Sequence, residues 1–141
     1  MKRLISSFLL LVMIFSCCGS ALAVSDDMLR ASCTLTSYNS YVGTGNNTGE
    51  IKITYSVSAN KIASPIGVSA IEIYKANGSY VTTIRGTTSN GLMGNSRTNK
   101  SGTYTYKGTS GTSYYAKVTL SATAGSEHDS RTVTTNTARA K

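Results

Sequence analysis

Tryptophan is absent from this chain, proline and histidine occur once each, and only six side chains are acidic. Each scarcity excludes something. The lone histidine, His128, is flanked by Glu127 and Asp129. No second histidine exists to help complete a zinc site, and neighbouring strand residues point to opposite sides. A solvated hairpin tip is the better account of this triplet, and calcium would want more carboxylates than the turn offers. The acids Asp26, Asp27, Glu50, Glu72, Glu127 and Asp129 show no spacing that would set two of them across a substrate, as glycoside hydrolysis requires. No Gly-x-Ser-x-Gly elbow appears among the many serines. With these parts missing the chain is read as non-catalytic, with no cofactor and no metal.

Cysteine is scarce too. Cys17 and Cys18 lie close together near the N-terminus and Cys33 stands alone further on. Lys2 and Arg3 precede a run, 4–15, that is almost wholly apolar, and Ala21-Leu22-Ala23 then offers small side chains where a signal peptidase cuts. The run is short of the ~20 residues of a spanning helix. A signal-peptide helix over 1–23, cleaved after Ala23, is the expectation, and it makes the protein secreted. The alternative is lipidation at Cys17, which would hold the chain on a membrane. Ser16 suits that route and Phe15 is too bulky for it. After cleavage only Cys33 remains, so no internal disulfide can form and packing must hold the domain together. Cys33 alternates in phase with Leu35, which favours a buried, inert thiol.

The formal net charge is +8, and loss of Lys2 and Arg3 with the leader leaves +6. The basic residues are scattered singly from Arg30 to Lys141. Such a balance favours anionic surroundings: a cell-wall polymer, an acidic glycan or a membrane surface. Nucleic acid is not expected, because an exported chain rarely meets it.

What the sequence has in abundance is Ser, Thr, Gly, Asn and Tyr, the composition of pleated strands joined by tight turns. Ile51, Ile53, Tyr55 and Val57 alternate with Lys52, Thr54, Ser56 and Ser58, one face apolar and one polar. Residues 69–75 repeat the pattern with Ile71 and Ile73 inward. Asn77-Gly78 tolerates positive φ and predicts a hairpin into 80–85. Further strands are expected over 32–39, 103–107, 114–122 and 131–137, with turns at 42–49, 108–113 and 125–129. Seven strand candidates imply an all-β antiparallel sandwich over 32–138, after a flexible segment 24–31 and before a short tail 139–141.

Residues 108–118, Gly108-Thr-Ser-Gly111-Thr-Ser-Tyr114-Tyr-Ala116-Lys-Val118, resemble the closing part of a fibronectin type III or immunoglobulin-like module. In that fold a Gly-containing turn precedes a tyrosine opening the penultimate strand. Ile71-Glu-Ile73-Tyr74 followed by Asn77-Gly78 resembles the middle hairpin of such modules. The resemblance spans about 69–137 by pattern. It implies that Tyr114 is a corner tyrosine, its ring in the core and its hydroxyl bonded to the preceding turn. The chain departs from the pattern in lacking a core tryptophan. It is also similar to small exported bacterial proteins with the same order of segments, which implies a compartment and no activity.

Candidate contact residues follow from phase. If Tyr114 and Ala116 face inward, Tyr115 and Lys117 face out, and tyrosine joins flat apolar area to a hydroxyl as sugar- and peptide-binding surfaces do. Leu92 and Met93 are large apolar residues in a polar connection. They form either an exposed tip that inserts into a partner or lipid, or a plug over one end of the sandwich; the plug is the simpler reading. Asn46, Asn77 and Asn99 fit N-x-Ser/Thr, which matters only in a eukaryotic secretory route. The function expected is a non-catalytic binding or structural role at the cell envelope or another extracellular surface. The alternatives are a basic effector acting on anionic membranes and a small hydrolase using Glu72 or His128.

Overall fold

The computed structural model describes residues 32–141. The expected leader 1–23, with Ala23 and Cys17, and the segment 24–31 lie outside the described residues. Nine strands follow in order: β1 Leu35–Thr44, β2 Glu50–Ala63, β3 Ile66–Lys75, β4 Tyr80–Arg85, β5 Met93–Gly94, β6 Arg97–Lys107, β7 Ser113–Ala124, β8 Glu127–Thr134 and β9 Ala138–Arg139. The described residues contain no helix. They form two antiparallel sheets, one ordered β1-β2-β6 and the other β4-β3-β7-β8, with β5 beside β3 and β9 beside β7.

Alternation explains why the sheets close on each other. Ile51, Ile53, Tyr55 and Val57 of β2 are buried, while Ser56 between them is exposed. On the second sheet Tyr114, Ala116, Val118 and Leu120 of β7 are buried against Ile71 and Ile73 of β3. Burying one such Ile, Val or Leu contributes about 1.5–3 kcal/mol, and among the described residues no disulfide adds to this. Cys33 is an unbridged thiol in the same core. Burial pushes its pKa up, and the nearby carboxylates Glu127 and Asp129 add to that against Lys61.

β3 begins out of phase with its own second half. Ile66, Gly67 and Val68 are all buried, and the register with β7 shifts between Val68 and Ala70. This bulge transfers the inward phase from Ile66 and Val68 to Ile71 and Ile73. Gly67 sits at φ 146° against the chain around Leu92, whose carbonyl would lie 2.2 Å from any Cβ there. That close approach lets Val68 N donate to Leu92 O at 3.0 Å and seats β5 on β3. The adjoining Ser64–Pro65 bond is cis.

Four details differ from the expectations of the sequence. β1 runs on through Val42 to Thr44, so the turn starts at Gly45 rather than at residue 42. The connection 86–100 holds β5 and the start of β6, pieces too short to show a period. The turn expected over 125–129 is confined to 125–126: Glu127 closes the hairpin opposite Ala124, and Glu127 to Asp129 already belong to β8. Residues 139–141 are no tail: Arg139 pairs with Ser113, and Ala140, 2% exposed, donates its N–H to Thr112 O at 2.9 Å.

One side of the sandwich is stitched by side chains. Glu127 accepts from Cys33 N at 3.0 Å, Asp129 accepts from Leu35 N at 3.0 Å, and Asn136 Oδ1 accepts from Val42 N at 2.9 Å. Each pair is separated by 94 residues, so β1 and β8 run alongside each other in step. Glu127 also pairs with Lys61, and Asp129 with Arg131.

Candidate functional site

The inward phase of β3 and β7 dictates what their outer face carries. With Ile71 and Ile73 in the core, Glu72 and Tyr74 point out, and with Tyr114 and Ala116 in the core, Tyr115 and Lys117 do so. Register then decides which of these meet. Tyr74 pairs with Tyr80 on β4 and with Tyr115 on β7, while Glu72 pairs with Lys117. A row Tyr80–Tyr74–Tyr115 therefore crosses three strands, with a charged row beside it.

The rings fill that row. Tyr74 and Tyr115 stack with centroids 5.2 Å apart and planes 11° apart, and Tyr80 meets Tyr74 edge-on at 5.7 Å and 72°. Lys117 Nζ stands 5.1 Å from the centroid of Tyr74, within cation–π reach. Tyr74 Oη donates to Glu72 Oε2 at 2.9 Å, which raises the phenol's pKa, with burial adding to it. Tyr80 Oη and Thr83 Oγ1 are 2.9 Å apart, which turns the most exposed ring of the row, at 58%, along the surface. The result is an open aromatic platform carrying hydroxyls, one ammonium and one carboxylate. Such a surface can stack on a flat or ring-shaped ligand and orient it by hydrogen bonds.

Tyr115 and Lys117 thus stand together as surface neighbours, and Tyr74 and Tyr80 complete the group. Phase alone could have placed Tyr74 outward, since it follows Glu72 by two, but its meeting with Tyr80 and Tyr115 needs the register of three strands. Tyr114 lies beneath, 2% exposed, its hydroxyl accepting from Thr109 N at 2.9 Å. Burial would raise this phenol; hydrogen bonds from Thr109 and Thr112, with Lys75 nearby, together outweigh that and bring it below its ordinary value.

Leu92 and Met93 part company. Leu92 is 2% exposed and belongs to the core, so it is corrected from a contact candidate to a core residue. Met93, half-buried, sits in β5 against Gly67. The apolar tip that would insert into lipid is therefore not presented, because the main chain between β4 and β6 folds back onto β3.

His128 turns away from its acidic neighbours. Its Nδ1 lies 2.9 Å from Thr123 Oγ1 on an exposed surface, while Glu127 and Asp129 are engaged by the backbone N–H groups of Cys33 and Leu35. Among the described residues no group of three His, Cys, Asp or Glu side chains converges as a metal site. Glu72 is paired in register with Lys117, whereas His128 lies opposite Thr123, six residues or about 20 Å along β7. The two share no pocket.

A shallow cleft of about 340 Å³ opens between Thr44, Ser110, Gly111 and the last residues of the chain. Its cations are engaged locally: Arg139 Nε donates to Gly111 O at 2.9 Å and Lys141 Nζ to Asn46 O at 2.8 Å.

No protein-family model matches the chain, and no curated protein matches it. Among solved structures, a family 76 glycoside hydrolase from a bovine Bacteroides thetaiotaomicron strain is similar at TM-score 0.43 and 16% identity. The alignment covers 74% of this chain and 20% of that one, a likeness too slight to bear on fold or activity.

Proposed function

We propose that this chain is an exported, non-catalytic module of fibronectin type III-like form that binds an anionic glycan or wall polymer at the cell envelope. The observation that carries the binding role is the Tyr74–Tyr115 stack with Lys117 above it, on the open outer face of a sheet. Aromatic area suits the apolar faces of sugar rings, and the ammonium suits a carboxylate or phosphate on the same polymer. The basic balance of the chain raises the local concentration of such a ligand.

Two features support the form of the module. Lettered in sandwich fashion, β1, β2 and β6 make one sheet and β4, β3, β7 and β8 the other. The constant-type immunoglobulin order would put the fourth strand with the first sheet, whereas β4 pairs with β3. Tyr114, at the start of β7, is bonded to the backbone of the turn before it, as the corner tyrosine of such folds is.

Sedimentation with a purified anionic wall polymer and with a neutral glycan tests the proposal. Expected is binding to the anionic polymer that weakens with added salt and falls in Tyr115→Ala and in Lys117→Gln. Binding that survives both substitutions unchanged would remove this face from the account, and absence of binding at low salt would remove the ligand class.

A further inference from the structure

The two edges of the β1-β2-β6 sheet are treated differently. On the β1 side, the outward N–H groups of Cys33, Leu35 and Val42 are taken up by Glu127, Asp129 and Asn136. On the β6 side nothing comparable is present among the described residues: β6 is laddered to β2 alone.

Which peptide groups this leaves open follows from the register. Pairing of β6 with β2 steps without a break from Lys107↔Glu50 to Asn99↔Ser58, and just past it Gly108 N donates to Gly49 O at 2.8 Å. Alternate residues of a strand turn their N–H and C=O to opposite sides. Gly108, Tyr106, Tyr104, Gly102 and Lys100 therefore face β2. Asn99, Ser101, Thr103, Thr105 and Lys107 turn theirs outward, a regular run of donors and acceptors.

Charge distinguishes the same edges. Of the described carboxylates, Glu127 and Asp129 lie on the stitched side and Glu72 on the aromatic platform. β6 itself carries Arg97, Lys100 and Lys107 and no acid. Lys107 lies close enough to Glu50 to stabilise its carboxylate, while Arg97 and Lys100 make no ion pair among the described residues.

We propose that the β6 edge receives an extended acidic segment of another protein as an added strand, antiparallel or parallel, held by main-chain hydrogen bonds and selected by charge. A second copy is the poorer occupant. Two β6 edges laid side by side bring together Arg97, Lys100 and Lys107 of each with no acid on either strand to offset them. Cations along an open edge act as guards against self-association, and an acidic strand is the partner they admit. This surface is separate from the aromatic platform and stands or falls without it.

The test uses the purified chain and a synthetic peptide of about nine residues alternating glutamate and threonine, long enough to span the outward run. Its counterpart has every backbone amide N-methylated, which keeps the charge and removes the donors from both edges of the peptide. Expected is binding of the first peptide and not of the second, with amide exchange at Ser101, Thr103 and Thr105 slowed by about tenfold or more at saturation. Thr103→Pro deletes an outward N–H without touching the β2 ladder, a placement edge strands tolerate, and it should weaken binding. Equal binding of both peptides would reduce the contact to charge and overturn strand addition. Failure of both peptides to bind would leave Arg97 and Lys100 as guards only. Protection appearing on β4 instead, or at β6 on self-association without peptide, would overturn the edge or the occupant.

Discussion

Asn136 completes the ladder of β1 with one side chain: its Oδ1 accepts from Val42 N at 2.9 Å and its Nδ2 donates to Val42 O at 2.7 Å. A neighbouring strand would make the same pair of bonds. Asn136→Ala leaves both groups of a buried residue's backbone without their partner and should cost about 1–3 kcal/mol. Asn136→Asp keeps the acceptor, loses the donor and sets a carboxylate against the Val42 carbonyl, so it should be no better than alanine. Urea unfolding followed by far-ultraviolet circular dichroism measures both, since the chain has no tryptophan to report by fluorescence. Wild-type stability in the alanine variant would show that the stitch is ornamental.

Acid should loosen the same side of the sandwich. The Leu35 N–H donated to Asp129, together with the Arg131 guanidinium, holds that carboxyl below its usual range, although burial acts against it. Bonds from the side-chain amide and backbone N–H of Asn47 do the same for Glu50. A group whose folded pKa is depressed contributes stability above its unfolded value and loses it as pH falls through the folded one. The urea midpoint should therefore hold above about pH 4 and decline below it. Asp129→Asn still offers an oxygen to Leu35 N and should flatten part of that decline, with Glu50 contributing to what remains. An unchanged acid limb in Asp129→Asn would show that this carboxylate does not govern it.

The corner at Tyr114 depends on a residue with no side chain. A Cβ on Gly108 would lie 2.7 Å from Tyr114 Oη and 2.8 Å from Cζ, and the ring is buried with little room to retreat. Gly108→Ala should destabilise the fold by about 1–3 kcal/mol, as overpacking does. Tyr114→Phe removes only the acceptor for Thr109 N, which lies at an exposed turn that water can reach, and should cost about 1 kcal/mol. A smaller loss for Gly108→Ala than for Tyr114→Phe would contradict the packing argument.

How much of this was legible beforehand depends on how local each signal is. β2 could be read from its own residues because one of its faces meets the core and the other water, so Ile51, Ile53, Tyr55 and Val57 mark it unaided. The Asn77-Gly78 hairpin was equally local, and Ile71 does pair with Ile84. β5 was not legible, because two residues carry no period and its place depends on Gly67 admitting the main chain. The roles of Glu127 and Asp129 were hidden for another reason. Their partners are backbone groups of Cys33 and Leu35, and a bare N–H leaves no mark in a sequence. Outward phase alone marked Tyr115 and Lys117, but the stack needs Tyr74, and that contact exists only once β3 and β7 are in register.

Leu92 separates two accounts of the connection between β4 and β6. As a core residue, 2% exposed and packed in the shared cluster, its truncation to alanine should cost about 2–5 kcal/mol. Met93→Ala, at a half-buried position, should cost less. An exposed tip predicts the reverse pattern: near-native stability in Leu92→Ala and a loss of binding to anionic vesicles. Unfolding midpoints and vesicle sedimentation on the two variants decide between them. Core placement requires that Leu92→Ala lower the midpoint while vesicle sedimentation, whatever its level in the unmodified chain, stays where it was.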